Sequence, residues 1–212
     1  LLWKHDYDRP YNISFGGGPR CTPTVDGQRV YALGAEGNLS CLDTQTGKVV
    51  WAKDFVKDYD AKTPFWGVAA HPLVVGDLLF CVVGGSGSVA VALDKDTGRE
   101  VWRALSAEQQ GYCPPTMIEA GGRKQLIVWH GESLNSLDPQ TGRVFWSVPL
   151  KPNVGMAITT PRQFGPYLLA SGYGDVGVLL KLAADQPAAG VVWRGKSKNA
   201  VYCANSTPFL ED

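Results

Sequence analysis

Three histidines, five cysteines and one glycine–serine loop are the groups in this 212-residue chain whose types could carry chemistry. His5, His71 and His130 stand far apart at unrelated positions. A zinc site needs three or four convergent ligands, and nothing in the order of residues gathers them. His130 follows Trp129 at the end of an apolar run and reads as structural or exposed. Cys21, Cys41, Cys81, Cys113 and Cys203 include no adjacent pair and no CxxC. They read as small buried hydrophobes, and Cys113 has no histidine nearby to activate it as a nucleophile. The stretch Gly84–Ser88 (GGSGS) looks like a phosphate cradle only superficially, because it joins two apolar runs and opens no helix. Acidic residues are spent on recurring turns, Asp94 and Asp96 among them, and form no cluster suited to calcium. No catalytic, cofactor-binding or metal-binding residue is therefore expected.

Composition narrows the class. Apolar residues make up 44% of the chain and charged ones 19%, with 20 basic residues against 20 acidic. A globular chain follows, and a nucleic acid partner is not expected without a basic field. The apolar stretch from Trp66 to Gly85 contains His71, Pro72, Gly76 and Asp77. A lipid-spanning helix tolerates that set poorly; two short strands with a turn at Gly76-Asp77 suit it better, and no transmembrane segment is expected.

The elements that position everything come from a repeat. CLDTQTGKVVW (41–51), ALDKDTGREVW (92–102) and SLDPQTGRVFW (136–146) are three copies, and KLAADQPAAGVVW (181–193) is a worn fourth. Trp51, Trp102, Trp146 and Trp193 are equivalent, Trp3 is a fifth by position, and they recur every 44–51 residues. Pro23, Pro72, Pro115, Pro161 and Pro208 keep step at 43–49 residues. Each period holds four strand-sized runs separated by turns, and no segment carries a helical apolar stripe over three turns. The expected fold class is all-β: a β-propeller of four-stranded antiparallel blades. Blades are expected at about 22–55, 71–105, 115–150 and 160–196, with 1–6 and 207–212 as strands of adjoining blades. On that division the chain begins inside a repeat, as a fragment, and any targeting segment would lie upstream; terminal strands meeting in an incomplete closing blade are the alternative.

Within each motif, Asp43, Asp94 and Asp138 are placed to accept hydrogen bonds from the amides of the following turn. Gly47, Gly98 and Gly142 supply a positive φ there, and the tryptophan four residues later covers the seam to the next blade. An aromatic ligand cage would not need one copy in every repeat.

This A/C/S-L-D-x-x-T-G-K/R-x-x-W pattern is similar to the tryptophan-docking motif of the pyrroloquinoline-quinone (PQQ) propeller repeat, and the resemblance spans essentially the whole chain. That repeat occurs in quinoprotein alcohol dehydrogenases and in non-catalytic relatives such as the outer-membrane assembly lipoprotein BamB. The resemblance implies seven or eight blades around a channel, first strands innermost, and an extracytoplasmic, periplasmic bacterial setting. In the dehydrogenases it implies a quinone held with calcium or a lanthanide, acidic ligands and often an adjacent-cysteine disulfide, none of which this sequence displays. Enzymes and scaffolds share the motif, so PQQ with calcium stands as the alternative to no cofactor.

Recognition is expected in the connections between blades. The two longest run 20 residues from Trp3 to Pro23 and 21 from Trp51 to Pro72, against 13–15 elsewhere. They carry Tyr7, Tyr11, Phe15, Tyr59, Phe65 and Trp66, rings suited to an interface, though mutual packing is a competing role for them. The resulting expectation is a non-enzymatic scaffold for a protein or peptide, with self-association or strand addition through open strand edges as a further route. The alternative is part of a PQQ-dependent dehydrogenase.

Overall fold

The computed structural model describes residues 1–11, 13, 16–196 and 203–209. Two units, Leu1–Ser106 and Ala107–Asp212, each hold two four-stranded sheets. In the first unit β1 (Thr24–Asp26), β2 (Arg29–Leu33), β3 (Asn38–Asp43) and β4 (Val49–Asp54) form one sheet. A five-residue helix α1 (Phe55–Tyr59) leads on to β5 (Leu73–Val75), β6 (Leu78–Val82), β7 (Ala90–Asp94) and β8 (Glu100–Ala104). The second unit holds β9 (Thr116–Ala120), β10 (Arg123–Trp129), β11 (Ser133–Leu137) and β12 (Val144–Pro149). Its other sheet is β13 (Arg162–Phe164), β14 (Tyr167–Gly172), β15 (Val176–Leu182) and β16 (Ala189–Arg194). Every sheet is antiparallel with neighbours in chain order, the plan of a propeller blade. Among the described residues 1–11 form no strand, Thr207–Phe209 are irregular, and 210–212 lie outside the description.

Period-two alternation puts each core on a seam between sheets. Tyr31 pairs with Cys41 and Leu33 with Leu39, so these four side chains share one face. That face buries against Leu79, Cys81, Val91 and Leu93 of the next sheet. In the second unit Ile127, Trp129 and Leu134 pack in the same way with Leu168, Ala170, Val178 and Leu180.

The repeated turns work as the sequence predicts. Asp43 Oδ1 accepts from the amides of Gln45 (3.1 Å) and Thr46 (2.8 Å) and from the Thr46 hydroxyl (2.8 Å). Asp94 Oδ1 does the same with Thr97, and Asp138 Oδ1 takes the Gln140 amide at 2.8 Å. Hydrogen bonds from the threonine side chain and turn amides hold the Asp43 and Asp94 carboxyls below their ordinary range.

Within the first unit the tryptophans reach across the seam. The Trp51 ring lies on Gly98, where a Cβ would sit 2.6 Å from the indole, and its Nε1 donates to the Lys95 carbonyl at 3.0 Å. Trp3 repeats this on Gly47, with Nε1 donating to the Thr44 carbonyl at 2.8 Å. Gly98 is held at φ +69° as well, so both backbone conformation and the ring require glycine there. Tyr31 also donates to the Lys95 carbonyl, and Lys95 pairs with Asp26 at 2.7 Å across the same seam.

Trp146 behaves differently. Its Nε1 donates at 3.0 Å to Oε1 of Gln125 in its own sheet, which also accepts the Ser136 hydroxyl at 2.6 Å. The worn repeat at 181–193 has no Asp-x-x-Thr-Gly turn to receive an indole. Trp102 packs against Phe80 at 5.9 Å between centroids, and Trp193 is half-buried.

A register shift interrupts all four outer strands one residue before the motif tryptophan, at Val50, Val101, Phe145 and Val192. Such bulges twist an edge strand and blunt its capacity to pair with another chain. The bulges therefore weigh against strand addition at these outer edges.

A candidate partner-binding face on the first unit

Both long connections are pinned to one turn, Gly34–Gly37, between β2 and β3. From the second connection, Phe55 N donates to the Gly37 carbonyl (2.9 Å) and Val68 N to the Ala35 carbonyl (2.7 Å). The Thr63 hydroxyl donates to Glu36 Oε2 at 2.9 Å. From the first, Arg9 reaches the Glu36 carbonyl (3.4 Å) and pairs with Asp54 at 3.0 Å. The Tyr7 hydroxyl occupies the space a side chain on Gly34 would need, and Ile13 does so at Gly67. The connections thus order one another, as loops on a rigid sheet must if they are to present a defined surface.

The six rings expected to face a partner divide. Phe65 is 63% exposed and stands edge-on to Trp66 with centroids 4.9 Å apart, a preformed aromatic pair. Tyr7 and Tyr11 are partly exposed and line a cleft of about 400 Å³. Tyr59 is a correction: it is 7% exposed and stacks edge-on with Phe55 inside the core. Asp54 caps α1 by accepting from the Val56 and Lys57 amides, which turns Phe55 and Tyr59 inward together. Phe15 lies outside the described residues.

The cleft adds residues that the sequence did not single out, namely His5, Arg9, Pro19, Ala32, Glu36 and Ser40. No residue pattern singles them out: the place of Ser40 in its repeat is taken by buried Val91 in the second copy and by buried Asn135 in the third.

Elsewhere, the most enzyme-like pair is His130 and Ser133, with Nε2 and Oγ 3.1 Å apart. Nδ1 of His130 accepts the Glu132 amide at 3.3 Å, so in the neutral ring the proton sits on Nε2. Nε2 donates to Ser133, and the hydroxyl passes its own proton toward Asn135 Oδ1 at 3.1 Å. A general base would need the opposite polarity. Burial pushes the His130 pKa down and keeps the ring neutral, and the group clamps the turn between β10 and β11. All five cysteines are free. Burial raises the Cys41 thiol to about 11 and the Cys81 and Cys113 thiols further, so these three are not ready nucleophiles. Gly84–Ser88 is closed on itself, with the Ser88 hydroxyl donating to the Gly84 carbonyl at 2.7 Å. Among the described residues no three His, Cys, Asp or Glu side chains come together as metal ligands.

Comparison with known proteins places the chain among propellers of two functions. Residues 1–202 match the family described as outer membrane protein assembly factor BamB. The curated relatives include a quinoprotein ethanol dehydrogenase of Pseudomonas aeruginosa, 29% identical over 57% of this chain and 21% of the relative. They also include BamB of Shewanella oneidensis, 24% identical over 76% of this chain and 41% of the relative. This chain therefore spans about a fifth of the first and under half of the second. Among solved structures, BamB of Moraxella catarrhalis aligns with TM-score 0.56 and 20% identity over 81% of this chain and 49% of that one. The quinohemoprotein alcohol dehydrogenase of Comamonas testosteroni gives TM-score 0.56 and 15% identity over 84% and 34%. At such identities the structural likeness establishes the propeller fold alone.

Proposed function

This chain belongs to the family of the outer membrane protein assembly factor BamB, and from that premise we propose that it is a non-enzymatic scaffold that binds a protein partner in the assembly of outer-membrane proteins. The observation that carries this reading is the exposed Phe65 ring, stacked edge-on against the partly buried Trp66 on a connection that is hydrogen-bonded to the rigid β2–β3 turn. An exposed ring on an ordered loop loses little side-chain freedom on binding and contributes large contact area. A periplasmic location accords with this role, and none of the described helices is long and apolar enough to cross a membrane.

The second reading, part of a PQQ-dependent dehydrogenase, is favoured by the 29% identity to the ethanol dehydrogenase. Titrating the chain with PQQ and calcium separates the two. The scaffold reading expects no saturable quenching of tryptophan fluorescence at micromolar quinone and no dye reduction with alcohols. Saturable quenching accompanied by turnover would overturn it.

A further inference from the structure

Where the second strand of a sheet enters its turn, three sheets place glycine, at Gly34, Gly84 and Gly172, and the third sheet places His130. The backbone bond is the same in Gly34, Gly84 and His130, whose amides donate to the carbonyls of Asn38, Ser88 and Ser133. The histidine adds a ring. His130 is only 3% exposed, its Nδ1 accepts the Glu132 amide at 3.3 Å, and its Nε2 meets the Ser133 hydroxyl at 3.1 Å.

Glu132 passes that restraint to both flanking connections. Its Oε1 accepts the Glu108 amide at 3.0 Å, and its carbonyl accepts the Leu150 amide at 3.0 Å. The adjacent Gly131 amide donates to the Gln109 carbonyl at 3.0 Å. Residues 107–115 and 150–160 are thus tied to one turn whose shape depends on a lone pair of an imidazole nitrogen.

A proton removes that lone pair. Both nitrogens of an imidazolium are donors, so Nδ1–H would point at the Glu132 N–H. To pair with the charged ring instead, the Glu132 carboxylate has to leave the Glu108 amide. The charged groups around the turn are Glu132 itself, Glu108 on one connection and Lys151 on the other. Burial holds the ring below its ordinary value and outweighs Glu132, which acts in the opposite sense. The folded turn therefore keeps the ring neutral, while an opened turn lets it charge near pH 6.5. Opening takes up a proton, so the closed turn is fully stable above about pH 6.5 and loses stability as the pH falls below it.

We propose that His130 is an acid-sensitive latch: protonation of Nδ1 releases the Glu132 amide, and with it the hold of the β10–β11 turn on residues 107–115 and 150–160. The latch acts within the second unit and does not depend on what the first unit's face binds.

Amide hydrogen exchange of the intact chain, read by mass spectrometry and normalised to the unfolded chain at each pH, tests it. Between about pH 7.5 and about pH 5.5 the opening equilibrium of residues 107–115 and 131–133 is expected to rise about tenfold, the limit for one histidine that charges only when exposed. His130→Asn offers a side-chain oxygen to the same amide two residues on and cannot titrate, so its change is expected to stay below about twofold. Burial also lowers the His71 pKa, and His71→Asn is expected to keep the response of the parent in these segments. Should His130→Asn fail to fold, the ring nitrogen shifts of the parent read the same point. They are expected to place the proton on Nε2 and the titration midpoint below the ordinary histidine value. An equal opening equilibrium at both pH values, the same rise in His130→Asn, or a ring that carries its proton on Nδ1 or titrates at or above the ordinary value would each overturn the latch.

Discussion

Trp129→Ala is expected to lower stability by about 3–5 kcal/mol, the range for deleting a fully buried large aromatic side chain. Trp129 is the largest fully buried side chain among the described residues, and its Nε1 donates to the Leu150 carbonyl at 3.0 Å. Its far edge rests on Gly172, where a Cβ would come within 2.6 Å of the ring. Alanine would leave a cavity in the seam between the two sheets of the second unit and an unpaired carbonyl beside it. Urea unfolding followed by circular dichroism reads the change. A loss below about 1 kcal/mol would mean that this seam is not the unit's core.

Gln125→Leu is expected to cost about 2–5 kcal/mol through polar groups left unpaired rather than through lost volume. Gln125 is fully buried; its Oε1 accepts from Ser136 and Trp146, and its Nε2 donates to the Ala120 carbonyl at 2.8 Å. Leucine keeps the size and removes every partner. Adding Ser136→Ala and Trp146→Phe to Gln125→Leu is expected to recover part of the loss, since those donors then no longer need an acceptor. A single variant as stable as the parent would show that Trp146 has another partner to turn to.

These two residues mark where the sequence stops being legible. The period, the strand plan of each sheet and the docking of Trp3 and Trp51 follow from the Asp-x-x-Thr-Gly turn, because its local chemistry is the same wherever it recurs. Trp146 carries the same motif yet bonds inward, since the fourth copy offers no glycine turn and Gln125 lies within reach. Trp129 belongs to no motif, and its burial depends on a neighbouring sheet that contributes Gly172. Phe55 and Tyr59 share one face of α1, but one turn of helix is too short to show an apolar stripe in the sequence. The bulges before each tryptophan leave no mark in the residue pattern, because Val50, Val101 and Val192 read as ordinary strand residues.

The candidate face divides in the same way. The length and aromatic content of the connections pointed to it, and Phe65, Trp66, Tyr7 and Tyr11 lie there. Ser40 and His5 do not stand out, because the cleft exists only once residues 1–11 fold back over β2 and β3.

The most direct test of the scaffold account is a calorimetric titration of the intact chain with the purified periplasmic part of the outer-membrane assembly machinery from the same cell. The titration would be repeated with the double variant Phe65→Ala/Trp66→Ala. The account predicts saturable binding by the parent and at least about tenfold weaker binding by the variant, which should melt at the same temperature. Equal affinity for both proteins, or no binding by the parent, would contradict it.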